Sequence, residues 1–138
     1  MSDSSGGVTQ LAGRTLMSLI FLFSGIGKVM AYSTIVRFAA MKHLPLAPVA
    51  IAVAAVIEIL GGLAILTGFH TRIVGWILFL YLIPTTVIFH NFWAMQGMER
   101  MDNQAHFMKN LAIMGGLLIL TSSGPGALSF DASRPAKA

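Results

Sequence analysis

The chain has 138 residues, of which 56% are hydrophobic and 10% charged, and its mean hydropathy is +0.79. A soluble domain carries about 25% charged residues, so this composition excludes a water-exposed globule and indicates one helical domain in a lipid bilayer. The absence of cysteine excludes disulfides, thiol catalysis and thiolate metal sites. A net charge of +4 is typical of membrane loops near anionic lipid and does not indicate nucleic acid as a partner.

Runs without charged residues locate the predicted membrane spans, because a helix needs about 20 apolar residues to cross the hydrocarbon core. Residues 73–98 and 110–130 are free of formal charge, and each run suffices for one span. The first apolar stretch can cross the membrane only with Lys28 inside it, and Arg14 is a further candidate there. The second stretch can cross only with Glu58 inside it. The sequence therefore predicts an all-α, four-helix transmembrane bundle with spans at about 11–31, 47–68, 73–93 and 106–123.

The rest of the chain is predicted to form tails and short connections. Residues 1–10 are predicted as a polar tail, 11–123 as the membrane domain and 124–138 as a C-terminal tail. The stretch 94–104 is predicted as the one clearly hydrophilic loop. Four spans place both termini on the same side, and the Lys and Arg residues outside the spans favour the cytoplasmic side of a bacterial or archaeal cytoplasmic membrane.

Alternating helix direction brings polar residues from different spans to the membrane edge away from the termini. Lys28 closes the first span, whereas Glu58 lies about 15 Å deeper than Pro48 on the second span. The other members of this predicted polar cluster belong to the third and fourth spans: His90, Asn91, His106, Lys109 and Asn110. Glycines lie beside polar residues on these helices, so the cluster is predicted to face the bundle interior.

Two interpretations of the polar cluster stay open. An isolated charge in hydrocarbon costs about 2.5 to 3.5 kcal/mol even on a lenient scale. Glu58 must therefore be protonated, pair with Lys28 or Lys109, or accept other hydrogen bonds. The resulting pair either fixes helix register or lines a functional cavity for a proton, a headgroup or a small polar ligand.

Cofactor chemistry receives little support from the sequence. His90 and His106 are predicted at one depth and could ligate a b-type haem, but the position of His90 beside Trp93 at the interface disfavours this reading. No metal site is predicted, because Glu58 is the one carboxylate expected inside the bundle. The glycines do not form a phosphate-binding motif, so nucleotide binding is not indicated either.

Several separated segments resemble one family. In chain order they are residues 21–28 (FLFSGIGK), 58–62 (EILGG), 68–72 (GFHTR), 89–93 (FHNFW), 106–111 (HFMKNL) and 124–126 (GPG). In their order and predicted depth these segments resemble the DoxX family of small four-helix membrane proteins. The resemblance covers residues 11–131.

The resemblance implies a role in membrane redox chemistry. The family is named for a subunit of an archaeal terminal quinol oxidase, and a related subunit belongs to a thiosulfate:quinone oxidoreductase. Similar proteins have been linked to membrane oxidoreductase complexes in oxidative-stress defence. By resemblance, the chain is expected to be an accessory or quinone-interacting subunit of such a system, with a redox-enzyme subunit or a second copy as its partner.

In this hypothesis the imidazole and amide side chains of the polar cluster bind a quinone carbonyl, and Glu58 relays protons with Lys28 or Lys109. The resemblance carries no catalytic residue over to this chain, so whether the chain is an enzyme stays open. The alternative is a non-catalytic membrane protein for assembly, trafficking or small-molecule passage, in which the polar cluster is structural.

Overall fold

The computed structural model describes residues 2–133, which form five α-helices and one short 3-10 helix. In chain order these are α1 (Ser2–Met30), α2 (Tyr32–Met41), α3 (Ala47–Thr67), α4 (Thr71–Phe89), the 3-10 helix (Phe92–Ala94) and α5 (Gly97–Ser123). The predicted all-α class is confirmed, since this part of the chain contains no strand. The described residues form five α-helices, one more than the four predicted spans, because α2 forms between the first two long helices.

Three stretches of the described chain are long and apolar enough to cross a membrane, and they are Gly6–Met30, Ala47–Thr67 and Thr71–Ala94. By this measure of length and composition α5 is not among them. Charged side chains occupy its N-terminal half, from Glu99 to Lys109. The composition of the helices therefore supports three spans, where the sequence predicted four.

Two helices extend beyond their predicted limits. The first begins at Ser2, so the predicted polar tail over residues 1–10 is helical from that point. The last begins at Gly97, so much of the predicted loop over 94–104 is helical as well. Hydropathy reports membrane depth rather than helicity, and residues such as Glu, Arg, Met and Gln in this stretch are good helix formers.

The long helices run antiparallel to their neighbours, and glycines allow α1 and α3 to approach closely. A Cβ atom at Gly25 would lie 2.7 Å from Cγ1 of Ile59 and 3.1 Å from its backbone nitrogen. A Cβ atom at Gly62 would lie 2.9 Å from Cγ of Leu22. Because the two backbones have almost no freedom to slide, the depth of Lys28 on α1 is fixed against α3.

Two groups of buried apolar side chains form the core. The larger lies among α1, α3, α4 and α5 and consists of Phe21, Ile65, Leu78, Leu82, Met114, Leu117 and Leu120. The smaller lies beneath α2 and consists of Ala39, Ala47 and Ile51. The Phe38 ring on α2 also stacks on Phe89, with ring centroids 6.0 Å apart. These contacts anchor α2 against the start of α3 and the end of α4.

The C-terminal segment, residues 124–133, packs against the turn between α3 and α4. The backbone N–H of Phe130 donates to the carbonyl of Thr67 at 3.0 Å, and the N–H of Asp131 donates to the carbonyl of Gly68 at 2.9 Å. The first part of the predicted C-terminal tail is thus tied down as far as Asp131. Its last five residues lie outside the described part of the chain.

Arg14 fastens this segment to the end of α3. Its side chain is 2% exposed, and Nη1 donates to the carbonyls of Ile65 at 3.3 Å and Leu66 at 3.2 Å. Nη2 donates to the carbonyl of Leu128, whereas Nε is buried without a hydrogen-bond partner among the described residues. The last carbonyls of a helix lack intrahelical donors and carry partial negative charge, which favours a cation there.

Asp131 complements the opposite helix end. Its carboxylate accepts the backbone N–H groups of His70 at 2.8 Å and Thr71 at 2.9 Å, where α4 begins. Burial opposes ionisation of Asp131, but the two N–H donors outweigh it, and the pKa of Asp131 lies below its ordinary value. The carboxylate is therefore charged at neutral pH and favourably placed at the positive end of the helix dipole.

Candidate functional site

A buried ion pair joins α1 to α3. The ammonium nitrogen of Lys28 lies 2.8 Å from Oε2 and 3.0 Å from Oε1 of Glu58, and it also donates to Oγ of Ser24 at 2.8 Å. The hydroxyl of Tyr81 on α4 donates to Oε1 of Glu58 at 2.7 Å. The side chains of Lys28 and Glu58 are 16% and 5% exposed. All three ammonium N–H groups of Lys28 are thus used within the protein.

Helix geometry accounts for this arrangement. Ser24 and Lys28 are four residues apart and therefore share one face of α1. Glu58 and Tyr81 lie at nearly equal distances along the chain from the turn at 68–70, so they meet at one depth on antiparallel helices. Sequence reasoning missed Tyr81, although this equal spacing is a signal that could have identified it.

A cavity of about 420 Å³ borders the ion pair. All five α-helices contribute to its walls, which are mostly aliphatic and aromatic. Five members of the predicted polar cluster also line it: Lys28, Glu58, His90, Lys109 and Asn110. An apolar cavity with a few convergent polar groups is typical of a small-molecule site, and here it suits an amphipathic ligand.

Two predicted residues, His106 and Asn91, lie outside the lining of this cavity. The ring of His106 stacks on that of His90 with centroids 5.1 Å apart, and its Nδ1 lies 3.1 Å from Nζ of Lys109. Asn91 precedes the 3-10 helix, and its Oδ1 is buried without a partner among the described residues. Both residues therefore support the rim of the cavity and do not form its wall.

Hydrogen bonds at the rim decide the protonation of both imidazoles. The amide nitrogen of Asn103 donates to the carbonyl of Glu99 at 3.0 Å, which leaves Oδ1 of Asn103 to accept from Nδ1 of His90 at 3.1 Å. His90 therefore carries its proton on Nδ1 and keeps Nε2 as an acceptor. Lys109 donates to Nδ1 of His106, so His106 carries its proton on Nε2.

This geometry does not fit a bis-histidine haem. The rings of His90 and His106 stack face to face with an interplanar angle of 26°. Axial ligands must instead each direct a nitrogen at an iron between them, which two rings stacked face to face do not do. Within residues 2–133, no three His, Asp or Glu side chains lie together as potential metal ligands.

The cavity has more cationic than anionic groups. No carboxylate of the described residues pairs with the Lys109 ammonium within 4 Å. Its ammonium uses one N–H on His106 and has two left for a ligand. The buried Asn110 donates to Oγ1 of Thr86 at 3.0 Å. These charges favour a ligand with hydrogen-bond acceptors at the cavity mouth.

A larger depression, of about 690 Å³, lies on the outer face of α3 and α4. Thr67 is the one polar side chain among its lining residues, and the remainder are apolar residues such as Leu60 and Ile77. No charged group borders it, so this surface offers no chemistry beyond contact with lipid chains.

Comparison with known proteins identifies the family. The DoxX family model matches residues 9–91. The chain belongs to the DoxX family. The matched region contains Lys28, Glu58, Tyr81 and His90, whereas α5 lies beyond it. The ion pair of this DoxX protein is therefore within the family region, and Lys109 at the cavity mouth is outside it.

Named relatives agree with a location in the membrane. Inner membrane protein YphA of Escherichia coli is 35% identical over 124 residues, which cover 90% of this chain and 89% of YphA. Inner membrane protein YqjF of the same organism is 37% identical over 123 residues, 88% of each chain. The ER-derived vesicles protein ERV29 of Saccharomyces cerevisiae is 27% identical over 130 residues, which cover 94% of this chain and 35% of ERV29. No solved structure matches the chain.

This DoxX protein is thus an integral membrane protein. The predicted location in a cytoplasmic membrane is confirmed by the two E. coli relatives and by the three membrane-capable helices. The lipid bilayer is its immediate surrounding.

Proposed function

We propose that this DoxX protein is an accessory, quinone-interacting subunit of a membrane oxidoreductase system. The observation that carries the proposal is the cavity beside Lys28 and Glu58, which combines apolar walls with an ammonium donor and an imidazole acceptor. A quinone is a flat apolar ring with carbonyl oxygens that accept hydrogen bonds, and its quinol form has hydroxyls that donate them. The cavity offers a donor for the quinone carbonyls and an acceptor for the quinol hydroxyls.

The proposal includes α5 as a fourth span, which completes a four-helix transmembrane bundle with α1, α3 and α4. A Cβ atom at Gly75 on α4 would lie 2.6 Å from Cγ2 of Thr121, and Asn110 donates to Thr86 nearer the other end of α4. Residues 110–121 therefore lie alongside a membrane-capable helix. With four spans both termini are on the same side of the membrane, which we propose to be the cytoplasmic side.

The cavity residues divide the work between binding and proton transfer. Lys109 donates hydrogen bonds from its remaining N–H groups to a quinone carbonyl, and Nε2 of His90 accepts a hydrogen bond from a quinol hydroxyl. Lys28, Glu58 and Tyr81 are engaged with one another and with Ser24, so they do not bind the ring. The proposal assigns them the transfer of protons to and from the cavity. The partner redox subunit supplies or removes the two electrons that accompany two protons.

Filling the cavity tests this proposal. Gly27 lines the cavity, and a Cβ atom there meets nothing within 4 Å, so Gly27→Leu should fold and occupy the site. Gly115 is equally open but does not line the cavity, which makes Gly115→Leu the matched control. The probe is a tailless ubiquinone analogue, titrated against full-length protein in lipid nanodiscs.

We expect one molecule of the probe to bind per chain. Gly27→Leu should weaken its affinity at least tenfold, and Gly115→Leu should leave it unchanged. Failure of the wild-type chain to bind, or equal affinity in Gly27→Leu, would contradict the proposal.

A second candidate is the non-catalytic role in assembly, trafficking or small-molecule passage. It is favoured by the complete internal satisfaction of Lys28 and Glu58 and by the tight packing at Gly25, both suited to fixing helix register. One relative, ERV29, is by name a protein of ER-derived vesicles. Under this alternative the double variant Lys28→Met/Glu58→Leu folds and retains the role of the wild-type chain in the membrane. Under the quinone proposal the same variant loses quinone-linked proton transfer.

A further inference from the structure

We infer that the space between α1 and α5 holds the apolar tail of the ligand, so that the site takes a long-tailed isoprenoid quinone which enters sideways from the bilayer. We call this space the α1–α5 seam, bounded by Gln10–Lys28 on α1 and Lys109–Ser123 on α5. The inference rests on the proposed function, since it assigns the tail of a quinone whose ring lies beside Lys109.

Two cavities lie in line along the α1–α5 seam. The cavity described above is bordered on these helices by residues 20–28 and 109–113. A second cavity, of about 240 Å³, is bordered by residues 10–17 and 116–123. On each helix the lining residues recur at intervals of three and four, so they form one continuous face. The part of the first cavity beside Lys109 and the second cavity therefore lie along one continuous path between α1 and α5.

The flexible side chain of Met17 lies between α1 and α5 where the residues that line the two cavities adjoin. A Cβ atom at Gly116 would lie 2.6 Å from Cε of Met17, and no other atom would come within 4 Å. Methionine is unbranched and adapts its shape readily, so rotation of Met17 joins the two spaces. From Gln10 to Lys28 the path spans about 27 Å at 1.5 Å per residue, close to the ~30 Å hydrocarbon thickness.

The dimensions and surroundings of the seam fit an extended hydrocarbon chain. A helix with its side chains is about 10–12 Å across. Cavities of about 420 and 240 Å³ are too small to hold another helix along this length, so the occupant must be thinner. Phe23 lines the first cavity and is 72% exposed, so the seam is open to lipid at that point. In the second cavity both terminal nitrogens of Arg14 donate to backbone carbonyls, and its buried Nε is the one guanidinium nitrogen without a partner among the described residues.

Probes with one quinone ring and different tails test the inference. A tailless ubiquinone analogue and its isoprenoid-tailed counterpart are titrated against the full chain in nanodiscs. The wild-type protein should bind the tailed probe at least tenfold more tightly than the tailless one. Gly116→Leu should abolish this preference without changing the affinity for the tailless probe, whereas the neighbouring control Gly115→Leu should preserve it.

The experiment distinguishes failure of the tail inference from failure of the proposed function. Equal affinity of the wild-type chain for both probes would overturn the inference and leave the proposed function intact, whereas binding of neither probe would overturn both. The chain has no cysteine, so Gly116→Cys introduces the one thiol. A disulfide between two such copies in nanodiscs would show that a second copy covers the seam, which would also overturn the inference.

Discussion

The two ends of the molecule each bury a cation, yet they differ in what surrounds it. At one end, Arg14 directs its guanidinium to helix and loop carbonyls and closes the C-terminal segment onto α3. At the other, Lys28 pairs with Glu58 beside a cavity of about 420 Å³. We call these the closing end and the cavity end. Intramembrane charge alone therefore does not identify a ligand site.

The cavity end differs in the accessibility of its unused hydrogen-bonding groups. Lys109 is exposed and has two N–H groups without acceptors among the described residues, and the half-buried His90 keeps Nε2 as an acceptor, whereas the unpartnered Nε of Arg14 at the closing end is buried. The closing end instead uses its charges to satisfy backbone groups that its helices leave open. Substitutions at the two ends should accordingly separate stability from binding.

The largest expected effect is the loss of one partner of the buried pair. Glu58→Leu leaves the Lys28 ammonium without its counter-ion, and we expect about 3–5 kcal/mol of destabilisation. Lys28→Met/Glu58→Leu should recover most of this loss, because neither charge remains buried. Reversible unfolding in mixed micelles measures both variants. A double variant as unstable as Glu58→Leu would show that Lys28 is not the reason for the loss.

Arg14→Met should be the next largest effect, at about 2–3 kcal/mol, because charged hydrogen bonds to buried carbonyls are lost. Hydrogen exchange should rise over residues 124–133, while the affinity for the tailless quinone analogue should stay unchanged. The exposed Arg37 on α2, far from this segment along the chain, provides the control substitution Arg37→Met, expected to alter neither. A fall in the affinity for the tailless analogue with Arg14→Met would remove the functional distinction between the two ends.

Alanine substitutions at two glycines of α1 should change the free energy of unfolding in opposite directions. Gly25→Ala places a methyl group 2.7 Å from Cγ1 of Ile59, and overpacking of this kind costs about 1–3 kcal/mol. Gly27→Ala enters open space and should stabilise the helix by about 0.5–1 kcal/mol. Unfolding free energies of the two variants test this. Equal destabilisation would mean that Gly27 is also a packing residue.

The smallest expected effect is a pH dependence confined to the closing end. Because the pKa of Asp131 is lower in the folded state, its contribution is fully present above the unfolded pKa of about 3.9 and is lost as the pH falls through the folded pKa. The protection factors of the amides in the C-terminal segment, which correct for the intrinsic pH dependence of exchange, should therefore stay constant from pH 7 to about pH 5 and fall under acid. Asp131→Asn should remove this acid dependence, and its persistence in that variant would assign it to another group.

The sequence predicted the cavity end better than the closing end for a physical reason. Helix direction and residue spacing were enough to place Lys28, Glu58 and His90 near one another. The partners of Arg14 are backbone carbonyls, which no residue pattern marks. Tyr81 was missed because its ring reads as apolar within a hydrophobic span, although its hydroxyl needs a partner when buried.

The short helix α2 was missed for a different reason. Ten residues are too few for a helix to be stable alone in water, and no membrane-length hydrophobic run marks them. The stacking of Phe38 on Phe89 and the burial of Ala39 stabilise α2 through contacts that are distant in sequence. Such tertiary contacts are not readable from local composition.

Photo-affinity labelling with an isoprenoid-tailed quinone tests most directly whether the cavity end is a quinone site. The full chain in nanodiscs is labelled, digested and mapped, with unlabelled quinone as competitor. We predict competed labels on residues 20–28 of α1 and 109–113 of α5, and their loss in Gly27→Leu. Labels confined to the outer face of α3 and α4, or labels that unlabelled quinone fails to displace, would contradict the assignment.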